Sequence, residues 1–406
     1  MIWFFLFFSF FISSFKDFLF LNFLWSIDSI SIFICCLCPL ILSLIFYVCF
    51  YPSSLEDILF NNLFFFILVF LCFFCFLRRN SFIFLTLLES CVLFMAFLIF
   101  FFSKDDDKIS SVFFILFINL LGSLPFILFR GSLDTNFFCK RYLFFDTFRI
   151  SLFICFALIL VCKLPIFLLH FWLTKAHVRA SGFCSMLLAS LMLKLGTFGL
   201  FKYSHLFSIV SIRLSPILLR TCLFGCIFFC LLMIRFFDCK YLIACSSILH
   251  ISMIFPLVAF TRSEGAFSRV LIIVGHGLVS YFLFFLVTFY YETTQNRSFD
   301  FNKSLESLNK AYRALIFIFI FLNIGLPPFI NFFRELLFCS SLFIISAFSA
   351  AIFFFSLLLS IIFSMLLLTK SLFSKKLIFI HTVNNFSLIN YSLFFLMAIL
   401  FLVFLF

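Results

Sequence analysis

SFIFLTLLESCVLFMAFLIFFF, residues 81–102, restricts the fold more than any other stretch of this chain. It carries one charged side chain, Glu89. As a helix it is long enough to cross a hydrocarbon core, which takes about 20 residues. Similar runs recur along the 406 residues. Backbone in lipid must satisfy its own N–H and C=O groups, so only helices and closed barrels span a bilayer. A barrel needs alternating apolar and polar residues, and that pattern is absent. Charged residues make up only 11% of the chain, against about 25% in soluble domains. The expected fold is therefore an all-α, polytopic membrane protein of about 12–14 transmembrane helices.

Spans are expected near residues 2–24, 29–50, 58–77, 81–102 and 109–129. A run at 142–173 is too long for one simple span and contains Pro165. Others follow near 180–203, 215–236, 241–261, 267–291, 314–333, 336–369 and 377–406, the last two each allowing two elements. The longest polar stretch, Glu292–Arg313, reads as a loop or a short surface helix. This leaves no room for a soluble catalytic domain, and residues 1–406 are expected to form a single transmembrane domain. The N-terminus, MIWFFLFFSFF, lacks a basic n-region and cleavage site and reads as an anchor helix. Neither GxGxxG nor a phosphate-cradling loop occurs, so no nucleotide or flavin site is expected.

The net charge of +12 comes from basic residues scattered among short loops, such as Arg78-Arg79 and Lys375-Lys376. This pattern suits anionic lipid headgroups and not nucleic acid. The charges do not separate by side, so the positive-inside rule sets no orientation. The chain has 81 phenylalanines, many where Leu or Ile would serve equally well on a lipid face. That reads as the mutational skew of an organellar genome. The 17 cysteines fit the same reading. Cys72 and Cys75 form a CxxC that could bind metal or cycle redox state. The alternative is cysteine as a small buried hydrophobe, and no metal site is assigned.

Against this greasy background the buried ionisable residues stand out. KLPIFLLHFWLTKAHVRASGFCSMLLASLMLKL, residues 163–195, puts Lys163, His170, His177 and Lys194 in or beside apolar helices. His250 lies in YLIACSSILHISMIF and His276 in VLIIVGHGLVSYFLF, while Glu335 follows GLPPFINFFRE. An ionisable group at bilayer depth costs roughly 2.5–3.5 kcal/mol on insertion scales and is by default a functional-site candidate. Helix breakers accompany two of them: Pro165 beside Lys163, and Pro327-Pro328 before Glu335. Unwound backbone at membrane depth is tolerated only inside protein or beside water, so interrupted helices point to an ion pathway. Lysine suits proton transfer because it can give up its proton, which arginine cannot. A static Glu89–Lys163 ion pair locking two helices is the structural alternative. For His250 the alternative is a hydrogen bond across helices.

KLPIFLLHFWLTKAHVRA followed by SMLLASLMLKLGTFG resembles the subunit 4 family of respiratory complex I, the mitochondrially encoded NADH dehydrogenase subunits. DCKYLIACSSILHISM (Asp238–Met253) and GLPPFINFFREL (Gly325–Leu336) agree in order and spacing, as do LLES at Glu89 and GHG at His276. The resemblance covers roughly residues 80–340, with an antiporter-like core at 81–340. It departs at Arg179, where the family has an acidic residue, at two missing prolines of the KAHV loop, and at Arg334, where a small residue is usual.

The resemblance implies two inverted helical repeats, each with a broken helix, in the membrane arm of complex I. It implies proton translocation across the mitochondrial inner membrane, coupled to electron transfer from NADH to ubiquinone. Glu89, Lys163, Lys194 and Glu335 would carry translocation, with His170, His177, His250 and His276 as relays. This chain would bind no cofactor. NADH, FMN, iron–sulfur clusters and ubiquinone would belong to the rest of the complex. Its partners would be the other membrane-arm subunits, above all the sibling antiporter-like ones, and lipids. A subunit of a multi-subunit cation/proton antiporter is the nearest alternative. A purely structural membrane anchor is the other.

Overall fold

A computed structural model describes residues 64–76 in part, 81–136, 155–203, 208–252, 265–294, 317–326 and 330–373, apart from a few single positions. The spans expected at 2–24, 29–50 and 377–406, the polar loop after residue 294, Pro327-Pro328 and the Arg334 side chain lie outside the described residues. The described elements are helical: α1 (Ser81–Phe102), α2 (Lys108–Asn136), α3 (residues 155–163), α4 (Phe171–Arg179), α5 (Gly182–Lys202) and α6 (Ser208–Arg235). They continue with α7 (Cys239–Ser252), α8 (Gly265–Thr294), α9 (residues 320–324), α10 (Ile330–Ile345) and α11 (Ala347–Phe373). The chain divides into two compact units, Met1–Leu98 and Ile99–Phe406.

Among the described residues, Phe82–Phe102, Lys108–Leu128, Gly182–Lys202 and Ala347–Leu366 are long and apolar enough to cross a membrane. Their side chains sort by face. On α2, Phe113, Phe117, Leu120, Leu124 and Ile127 are exposed at helical spacing, while Ser111, Ile115, Asn119 and Phe126 are buried. The exposed stripe is as apolar as the core, which is how a helix reads when lipid replaces water. By contrast α5 is buried on nearly all sides. Hydroxyls in these helices turn back onto their own backbone: Ser90 donates to the Leu87 carbonyl (2.7 Å), Ser247 to Ala244 (2.7 Å) and Ser364 to Ile361 (2.8 Å). That satisfies a polar group where no water is available.

In the first unit, Phe64 packs on Phe94 with ring centroids 6.2 Å apart. Cys72 and Cys75 both meet Cys91, with Sγ–Sγ distances of 3.9 and 4.0 Å. All three thiols are fully buried and fill space as small hydrophobes do.

In the second unit α8 is the central post. It packs against α5, α7 and α10. In turn α7 touches α4 and α6, α11 joins α6 to α10, and α2 lies against α4. Among the described residues, two helices are broken. The long run at 142–173 resolves into α3, an irregular segment from 164 to 170, and α4. Leu168, in that segment, adopts a φ of 81°, a conformation costly for a branched side chain. The second interruption contradicts the expected span at 314–333. The helix stops at α9, Gly325 turns with a φ of 75°, and α10 begins at Ile330. Hydropathy runs through this break because the turn is built from apolar and small residues. Asn331 bridges it by donating to the Leu322 carbonyl at 2.7 Å, a group that the unwound turn can leave without a helical donor. The expected element at 336–369 is two helices parted at Ser346, whose hydroxyl accepts the Ser349 N–H at 3.2 Å as an N-cap.

Candidate proton pathway

Lys163 is the last residue of α3, where the carbonyl end of the helix favours a cation. It is 6% exposed. Its Cβ lies against Gly196 of α5, where an added Cβ would come within 3.2 Å. Lys194 stands two residues before that glycine and is equally buried. Just ahead of it, residues Leu188–Met192 take π-helical form. Such a widened turn often marks functional sites, and here the Lys194 ammonium donates to the Ala189 carbonyl within it.

From Lys194 a line of ionisable groups continues through the core. The Lys194 stem passes 3.3 Å from where a Cβ on Gly277 would stand. Next to that glycine is His276, buried on α8. His276 and His250 of α7 have ring centroids 5.6 Å apart. His250 Nδ1 lies 4.0 Å from Glu335 Oε1. The Glu335 carboxylate in turn sits at the second break, with an oxygen 2.9 Å from the Cβ position of Gly325. Lys194, His276, His250 and Glu335, far apart in sequence, therefore form a buried row ending at an unwound turn.

The two remaining histidines have different surroundings. His170 sits in an aromatic nest, 4.2 Å from Phe171, 4.6 Å from Phe229 and 6.3 Å from Phe167 by ring centroids. His177 is fully buried, stacks on Phe284 at 4.3 Å and 9°, and feels both Lys240 and Lys194 electrostatically. Of the two, His177 is the one in the electrostatic neighbourhood of Lys194. Glu89 lies on α1, in the other unit, and is half-buried.

Two features escaped the sequence reading. Lys240 opens α7 at 5% exposure and donates to the Ala180 carbonyl at 2.7 Å. It lies in the DCKYLIACSS block two residues after Asp238, where a charge at a helix start draws no notice. The other feature is the Arg179 partner. Arg179 pairs with Asp107 at 2.6 Å, with both side chains well exposed, and Lys175 one turn earlier covers the Phe114 ring at 3.6 Å. The departure at Arg179 is thus absorbed at the surface. Asp107→Asn is expected to change stability by less than about 1 kcal/mol, as for other exposed pairs, which thermal unfolding of the variant checks.

Among the described residues, two interrupted helices and a row of lysine, histidine and glutamate in the core make up the arrangement that membrane transporters build around their sites. The chain is a member of the NADH:quinone oxidoreductase/Mrp antiporter transmembrane family, whose pattern it matches over residues 79–364. NADH-ubiquinone oxidoreductase chain 4 of Artemia franciscana is 36% identical over 250 residues, 60% of this chain and 61% of the relative. The chain 4 protein of Locusta migratoria is 30% identical over 279 residues, 68% of this chain and 63% of the relative. The matched region thus spans a little over six tenths of these relatives. The same fold occurs in respiratory complex I from Thermus thermophilus, with a TM-score of 0.79 and 18% identity over 92% of this chain and 80% of that one. It occurs also in the Mrp complex from Dietzia, with a TM-score of 0.74 and 16% identity over 87% and 67%. The all-helical fold expected from the sequence is the one these structures share.

Proposed function

We propose that this chain is a proton-translocating membrane-arm subunit of NADH:ubiquinone oxidoreductase, in the mitochondrial inner membrane. What carries the reading is the buried row Lys194–His276–His250–Glu335, together with the two breaks at its flanks. Glu89 is assigned to the same translocating set as Lys163. Lys163 carries the proton as an ammonium whose charge stands in a low-dielectric interior where it is costly, and the proton passes on. Lys194 takes it up through His177, or His170, and bound water. His276 and His250 hand it to Glu335, which exchanges protons with one aqueous side. Each transfer needs a group that can both hold and release a proton, which Lys, His and Glu supply and Arg does not. The chain has no redox chemistry of its own. NADH, FMN, iron–sulfur clusters and ubiquinone belong to other parts of the complex, and the sibling antiporter-like subunits are its neighbours.

The family also includes cation/proton antiporter subunits, and the Dietzia Mrp complex shares the fold. The chain 4 relatives favour complex I. Blue-native separation of membranes followed by mass spectrometry of the co-migrating subunits tests the choice. Flavin- and iron–sulfur-containing partners are expected. Co-migration with only other antiporter-like chains would overturn the complex I reading.

A further inference from the structure

Lys240 has no place in the row just described, yet it is among the most deeply buried cations in the described residues. Its ammonium donates to the Ala180 carbonyl at 2.7 Å. Ala180 closes α4: its own N–H still bonds back to the Ala176 carbonyl at 2.9 Å, but its backbone is extended, with φ −67° and ψ 147°. The chain then turns at Ser181, whose hydroxyl caps α5 by accepting the Cys184 N–H at 3.4 Å. Carbonyls at such a joint have lost their helical donors, and Lys240 supplies one from α7.

Three residues before Ala180 is His177. Its ring is fully buried and flat against Phe284 of α8, and neither nitrogen has a hydrogen-bond partner among the described residues. The ring is therefore placed by stacking and by the position of α4, not by hydrogen bonds of its own. Lys240 and Lys194 both act on it electrostatically. The neutral donors Asn and Gln have shorter side chains than lysine and do not reach this carbonyl from the same backbone position, so the joint takes a long cationic donor although burying a charge is costly.

We propose that Lys240 is a positioning residue of the proton path, clamping the end of the first broken helix so that the His177 ring stays between Phe284 and the Lys194 region. This rests on the reading of Lys194 as a proton carrier. The clamp needs a long cationic donor but no exchange of its proton, so Lys240→Arg should serve nearly as well as the native residue.

The test compares Lys240→Met, Lys240→Arg and Lys194→Met in the assembled complex in inverted membrane vesicles. Complex content is read from blue-native gels, and protons moved are counted per NADH oxidised. For Lys240→Met the complex should assemble and oxidise NADH, while protons per NADH fall about two-fold or more, in the range by which coupling-network residues act. Lys240→Arg should restore the ratio. A purely structural role would lower complex content and leave protons per NADH unchanged, and that result overturns the proposal. So does an arginine variant as defective as the methionine one, which would make Lys240 a proton carrier. Should Lys240→Met fail to accumulate, Lys240→Gln decides instead: its shorter, uncharged amide should show the same fall, and a normal ratio overturns the clamp. Lys194→Met separates the two readings. If it pumps normally, the role of Lys194 fails; if it is defective while Lys240→Met is normal, only the clamp fails.

Discussion

Under the proposed function, Lys163→Met is expected to abolish translocation through this subunit while the complex still assembles. The methionine chain has nearly the length of the lysine stem and packs against Gly196 in the same way. A volume-conserving change of this kind costs less than about 1.5 kcal/mol, and removing a buried charge offsets part of it. What is lost is the ammonium at the end of α3, beside the first break. Removing a positioned proton-transfer group should lower the flux about ten-fold or more. NADH-driven acidification of reconstituted vesicles, normalised to complex content, measures it. Normal acidification would mean that Lys163 only locks helices together, the alternative left open by its burial.

The parts of this architecture that follow from apolar length were legible in the sequence. The spans expected at 81–102, 180–203 and 267–291 coincide with α1, α5 and α8 to within about three residues, the usual scatter of helix ends. The first break was also visible, because Pro165 beside Lys163 cannot continue a helix without cost. The second was seen in the prolines but misplaced in the spans. A turn made of Gly325 and apolar neighbours has the hydropathy of the helix it interrupts.

The contacts that join the buried row were not legible. Lys194, His276, His250 and Glu335 were recognisable as ionisable groups at depth, and the family resemblance placed them in one relay chain without showing what brings them together. Their meeting depends on the rotation of α5, α7 and α8 about their axes, and that is set by close approaches such as Gly277 against the Lys194 stem. The π segment at Leu188–Met192 sets Lys194 at a different angle round α5 from the one an unbroken α-helix would give. Nothing in LASLM announces it. Similarly, sequence spacing could not choose between His170 and His177 as neighbours of Lys194. The choice lies in tertiary contacts: Phe229 of α6 encloses one ring and Phe284 of α8 supports the other.

Glu335→Gln should reduce proton-coupled turnover about as strongly as Lys163→Met, and Gly325→Ala should reproduce part of that loss without touching an ionisable group. Glutamine keeps the shape of Glu335 and can still lie against His250, but it neither carries charge nor releases a proton near neutral pH. Gly325 holds a φ of 75° and has the carboxylate within 2.9 Å of its missing Cβ. An alanine there meets two penalties. The left-handed backbone costs about 1–2 kcal/mol, which lowers thermal stability modestly. The new methyl group also meets the far end of a flexible side chain, so the carboxylate moves and the fold does not break. Moving it away from His250, now 4.0 Å off, lengthens a transfer that depends on near contact. Acidification rates and unfolding temperatures of both variants, taken on the assembled complex, separate the two effects. A Gly325→Ala complex that is less stable yet pumps at the native rate would show that the placement of the Glu335 carboxylate is not limiting. A Glu335→Gln complex that pumps normally would remove Glu335 from the pathway altogether.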